Sequence, residues 1–148
     1  MADDDFNKII DFTIFHETSG DPNGAPHKDP SDPGGSTRWG LAQRYNADID
    51  VMTMTREQAI ARYRSKYWDY YACAQLDWPL SGAFFESCVN PGVNYARAWR
   101  SSSRNIHEFL LLRAEHYRER AESSANRLKY FHGWIDRVLD FFVKFTGD

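Results

Sequence analysis

Apolar positions return at helical spacing near the start of the chain, at Phe6, Ile9, Ile10, Thr13 and Ile14, and they predict a helix from Asp5 to about Thr18 with one buried face. A second helix is announced by Thr55-Arg56-Glu57-Gln58, which fits a capping box and opens a run through Tyr67 striped by Ala59, Ile60 and Tyr63. A third is expected from about Leu80 to Val89, burying Phe84, Phe85 and Cys88, and Asn90-Pro91-Gly92 breaks it. A long helix follows from Ile106 to about Ser123, where the Leu110-Leu111-Leu112 triplet predicts burial on more than one side. Arg127 to Phe131 and Trp134 to Phe145 read as closing helices hinged at Gly133, the last with Ile135, Val138, Leu139, Phe142 and Val143 on one face. Between the first two helices, Ser19 to Arg38 is punctuated by Gly, Pro, Asn and Asp, with two or three short strands expected between about Ser31 and Ala42. The class is mainly α (α+β), with a small β-hairpin element.

Glu17 gives this pattern chemical content. It lies three residues after Ile14 on the same face, so the helix carries a carboxylate to the edge of a core. Desolvation there raises a carboxyl pKa towards that of a general acid, as glycosidases require of one of their two carboxyl groups. The following loop offers Asp29 or Asp32 as a second carboxylate, with Asx turns beside their prolines as the competing role. Gly34 and Gly35 allow a tight turn and close approach to a ligand, or simply a hairpin turn, and Thr37 is a candidate for orienting a water. Trp39 and Tyr45 suit either a sugar-stacking cleft or a core, and Asn90 suits an acetamide contact. His16 points about a hundred degrees away from Glu17 on a helix.

Composition narrows the classes. A chain of 148 residues fits a single domain, and 16% aromatic content exceeds the needs of a core alone. The net charge of -3 argues against nucleic acid as a partner, although Arg97, Arg100, Arg104, Arg113, Arg118, Arg120, Arg127 and Lys129 make the later helices more basic than the Asp3-Asp4-Asp5 start. Cys73 and Cys88 read as buried thiols without zinc-ligand spacing, so neither metal nor cofactor is expected. No apolar run approaches a membrane span and no leader is evident, which predicts a protein made in the cytosol without membrane insertion.

Glu17 followed by Asp29-Pro30-Ser31-Asp32-Pro33-Gly34-Gly35-Ser36-Thr37-Arg38-Trp39-Gly40-Leu41 resembles the Glu, then Asp-Pro-x-Asp-x-Gly-Gly-x-Thr-x-x-Gly-Ile pattern of glycoside hydrolase family 108, the phage endolysin and secretion-activator N-acetylmuramidases. Tyr67-Trp68, the Phe85 to Gly92 segment and Gly133-Trp134-Ile135-Asp136-Arg137-Val138 are similar to further blocks of that family, the last often assigned to a peptidoglycan-binding region. Thr18-Ser19-Gly20 departs from the family's Gly-Gly-Tyr, and Glu86 stands where Asp is usual. The resemblance implies a lysozyme-like fold over 1–148, with a helical C-terminal part from about 100. It also implies cleavage of the β-1,4 bond between N-acetylmuramic acid and N-acetylglucosamine, with Glu17 as acid. Its partners would be peptidoglycan glycan strands, reached by a monomer released from the host cytoplasm through a holin. A lytic transglycosylase, a chitosanase-like hydrolase and a non-catalytic wall-binding module are the alternatives.

Overall fold

The computed structural model describes the backbone of residues 2–147 and the side chains of 5–147, so the acidic side chains of Asp3 and Asp4 lie outside the described residues. The chain divides into two compact units, Met1–Ala72 and Cys73–Asp148.

In the first unit, α1 (Ala2–Thr18) buries the expected stripe of Phe6, Ile9, Ile10, Thr13 and Ile14. Its end is closed twice. Thr18 Oγ1 donates to the Ile14 carbonyl at 2.7 Å, and beyond the left-handed Ser19 the Gly20 N–H reaches back to the Phe15 carbonyl at 3.0 Å. Glu17 therefore occupies the last turn of the helix.

The loop that follows contains a 3₁₀ turn, Pro33–Gly35, and then two antiparallel strands, β1 (Thr37–Arg38) and β2 (Leu41–Ala42). They are joined by Trp39 and Gly40, at φ 56° and 76°. Positive φ at both central residues is the signature of a type I′ hairpin, whose twist matches that of its strands. A third strand is reduced to one bridge, in which His27 and Thr37 exchange N–H···O bonds of 2.8 Å in each direction. The helix α2 (Arg56–Tyr63) opens with the predicted capping box and continues as a π-helical segment, Arg64–Asp69, that buries Trp68.

In the second unit, α3 (Leu80–Ser87) is buried along its whole second half and passes into a π-helical segment, Cys88–Gly92, broken at Asn90, as the Asn-Pro-Gly signal requires. Cys73 and Cys88 are both buried, and a hydrogen bond with Cys88 together with burial pushes the Cys73 thiol well above its ordinary pKa. The helix α4 (Val93–Ser102) has no counterpart among the expected elements, because only Ala96 and Trp99 are buried and two positions make no readable stripe. Next come α5 (Ile106–Glu122), whose Asn105 cap accepts the Glu108 N–H at 2.9 Å, the short α6 (Ala125–Leu128), and α7 (Phe131–Phe145).

Three expectations are corrected here. Gly133 is no hinge, since it lies inside the first turn of α7 and the chain breaks before Phe131. The expected face of α7 is mostly outside: Leu139, Phe142 and Val143 are 55%, 45% and 74% exposed, while Arg137, Val138 and Phe141 are buried. The rotation follows from Arg137, which is drawn inward by Glu86. In α5, Leu110 is buried and Leu112 half-buried, but Leu111 is exposed, so the triplet is covered only in part.

Candidate active site

Three elements converge on the hairpin turn. A Cβ built on Gly40 would lie 2.5 Å from Tyr63 Oη, 2.7 Å from Glu17 Cβ and 3.0 Å from Glu17 Cγ. Only glycine supplies both the positive φ and the room for this approach. The methylenes of Glu17 thus rest on the turn, which leaves its side chain half-buried. Buried Tyr63, on α2, donates its hydroxyl to the Trp39 carbonyl at 2.7 Å and fixes the turn from the other side. Trp39 adds a third restraint, since its indole N–H donates to the Met54 carbonyl at 2.9 Å and its ring lies under Gly24, where any Cβ would fall within 2.5 Å of it.

The two candidate second carboxylates are committed to the loop. Asp29 accepts from the Ser31 hydroxyl at 2.7 Å, the Ser31 N–H at 3.0 Å and the Asp32 N–H at 3.1 Å, and these bonds hold its carboxyl below the ordinary Asp range. Asp32 caps the 3₁₀ turn by accepting the Gly34 N–H at 3.1 Å, and it pairs with Arg44. Gly34 and Gly35 make room for these carboxylates: a Cβ on Gly35 would sit 2.9 Å from Asp29 Oδ2, and one on Gly34 would sit 3.3 Å from Asp32 Oδ1.

Thr37 is half-exposed on β1, and among the described residues its hydroxyl has no partner. Trp39 is 5% exposed and packs as a core residue, whereas Tyr45 is 74% exposed on the 3₁₀ turn Gln43–Tyr45. His16 packs between rings, 4.4 Å from that of Phe12 and 5.4 Å from that of Phe15. Asn90 belongs to the second unit, where its side-chain oxygen accepts from Tyr117 Oη at 2.6 Å.

The sequence reading missed Gly40 and Tyr63 as site-forming residues. Gly40 had a signal, because Thr-Arg-Trp-Gly-Leu-Ala places a glycine at the centre of a short strand pair. Tyr63 had none beyond its place on the α2 stripe.

It also missed a buried charge cluster in the second unit. Glu86 receives Arg137 Nε at 2.5 Å and Nη2 at 2.9 Å, while Arg113 Nη2 stands 3.3 Å from the same Glu86 Oε1. All three side chains are essentially inaccessible. Two of the segments singled out in the sequence, Phe85 to Gly92 and Gly133 to Val138, are thereby tied together, and Trp134 stacks on Tyr117 at 5.3 Å.

Among known proteins, the model of the family described as Glycosyl hydrolase 108 matches residues 20–92. That segment holds the Asp29 to Gly40 loop and the Asn90-Pro91-Gly92 break but begins after Glu17. No curated protein and no solved structure matches the chain. Over residues 20–92, just under half of its length, the chain is similar to the glycosyl hydrolase 108 family, a family of enzymes that hydrolyse glycosidic bonds.

Proposed function

We infer that the protein is a peptidoglycan hydrolase that cleaves the β-1,4 bond between N-acetylmuramic acid and N-acetylglucosamine, with Glu17 as general acid. The observation that carries this reading is the packing of Glu17 against Gly40, in the turn of the hairpin that the family match includes. An acid must be protonated before it can protonate a leaving oxygen. Glu17 meets the steric side of that role, half-buried in the last turn of α1 with its methylenes against the hairpin.

The turn supplies rigidity. Tyr63, Met54 and Gly24 hold Trp39 and Gly40, so the hairpin presents Glu17 with a fixed wall, and orientation of this kind is a large part of catalytic rate. Thr37 follows two residues before that turn, with a free hydroxyl suited to a water. In this reading the whole chain works as one monomeric muramidase on wall glycan strands, which it reaches through a holin. Among the described residues no helix is long and apolar enough to cross a membrane.

A second reading has its own support. Asp29 is bound into a turn and Asp32 is paired with Arg44, which favours chemistry that needs one carboxyl group, as in a lytic transglycosylase. Mass spectrometry of fragments released from purified peptidoglycan separates the two. Reducing N-acetylmuramic acid ends are expected; anhydro ends would transfer the assignment to the transglycosylase, and the absence of fragments would remove the enzyme.

A further inference from the structure

The second unit contains a pocket of about 230 Å³ whose walls include Asn90, Tyr95, His116, Tyr117, Arg120 and Trp134. Apart from Asn90, these residues lie beyond the segment that the family model matches. The lining contains no carboxylate.

Its polar groups are donors. Among the described residues, the Arg120 guanidinium has no hydrogen-bond or ion-pair partner. The Asn90 side-chain oxygen is taken by Tyr117 Oη at 2.6 Å, which leaves the amide N–H₂ as the end available to a ligand. Behind Asn90 sits Arg113, fully buried, with Nη2 donating to the Asn90 carbonyl at 2.6 Å. Arg113 pairs with Glu86 Oε1 at 3.3 Å, and its Nε and Nη1 have no hydrogen-bond partner. A buried guanidinium behind a wall that holds the Arg120 cation and the Asn90 amide favours an anion in front of it.

The remaining wall is aromatic. Trp134 stacks on Tyr117, and the Tyr95 ring lies 4.3 Å from that of His116. A volume of 230 Å³ falls below the roughly 300–1,000 Å³ of sites that enclose a whole drug-sized ligand, so the pocket suits a terminal group and not a disaccharide.

We propose that this pocket binds the free carboxylate of a peptide end group, with Arg120 and the Asn90 amide on the carboxylate and Trp134 and Tyr95 against its carbon chain. In the wall substrate, stem peptides carry such groups. Only this identification of the source rests on the hydrolase reading; the carboxylate chemistry does not. His116, whose pKa is held below the ordinary value by burial and by Arg120, adds a neutral donor at neutral pH.

The test uses the full chain carrying Glu17→Gln, so that binding is read without cleavage. It is titrated by NMR with N-acetylmuramyl-L-alanyl-D-isoglutamine, with the same compound amidated at its single free carboxyl, and with N-acetylglucosamine trimer. The acid should shift Trp134, Tyr95 and His116 resonances, the amide should bind at least about tenfold more weakly, and the trimer should leave these resonances in place. Adding Arg120→Gln should weaken the acid by about tenfold or more with the melting temperature unchanged. Asn90→Asp, which keeps the acceptor for Tyr117 but replaces the amide with a carboxylate, should also weaken it. Equal binding of acid and amide, indifference to Arg120→Gln, or no shift at millimolar acid would overturn the proposal. A wild-type protein that cleaves no glycan while its Glu17→Gln form binds the acid keeps the pocket and loses the hydrolase reading; the reverse result loses the pocket alone.

Discussion

Glu17 and Glu86 are both glutamates brought to a core by a helix, and the two regions treat them in opposite ways. Glu86 is sealed from water and gripped by Arg137 in a two-pronged pair with Arg113 beside it. Glu17 is held through its methylenes, by a hairpin turn that glycine alone allows to come so close, and it stays half-open to solvent. A carboxylate buried between guanidiniums supports structure, whereas one at a half-open rim is within reach of a ligand.

Breaking the Glu86 side should give the largest stability effect. Glu86→Gln removes the carboxylate that two buried guanidiniums share, and the expected loss is about 3–5 kcal/mol in denaturant unfolding. A loss of less than 1 kcal/mol would show that the cluster is not buried as described.

The Glu17 side should respond to its wall. Gly40→Ala combines a φ of 76° with a Cβ placed against Tyr63 and Glu17, and should destabilise by about 1–3 kcal/mol while displacing Glu17, the proposed acid, so that kcat falls in the remaining folded protein. Unchanged kcat would separate the turn from the chemistry. Tyr63→Phe strands the buried Trp39 carbonyl and should lower stability by about 1–2 kcal/mol, with a smaller effect on rate.

The smallest effect sharpens what an exposed pair does. The Arg62 guanidinium beside Asp48 lowers its pKa to about 2 from 3.8. Because the folded value is depressed, any stabilisation is present above about pH 3.8 and disappears as pH falls through about 2. Carboxyl NMR should find Asp48 titrating near 2 in the wild type and moving back towards 3.8 in Arg62→Gln. No movement would show that the pair does not persist in solution.

Much of this contrast was legible in the residues. The α1 stripe and the Thr55 capping box rest on local rules and both appear, and the stripe alone takes Glu17 to a core edge. The loop was legible in kind but not in detail, because the 3₁₀ turn capped by Asp32 shortens the strands to Thr37–Arg38 and Leu41–Ala42. What escaped was non-local. Gly40 meets Glu17 and Tyr63 from distant parts of the chain, and Arg137 turns α7 away from its apolar periodicity because one buried ion pair outweighs the exposure of Leu139 and Val143. The helix α4 escaped because two buried residues carry no period.

The central claim is that Glu17, wedged against the hairpin, is the acid. Parallel digestion of purified peptidoglycan by wild type and by Glu17→Gln, with the fold checked by melting temperature, tests it most directly. Fragments with reducing N-acetylmuramic acid ends from the wild type, and a loss of at least about a hundredfold in rate for an equally stable Glu17→Gln, are the predicted result. Cleavage by Glu17→Gln at the wild-type rate would contradict it.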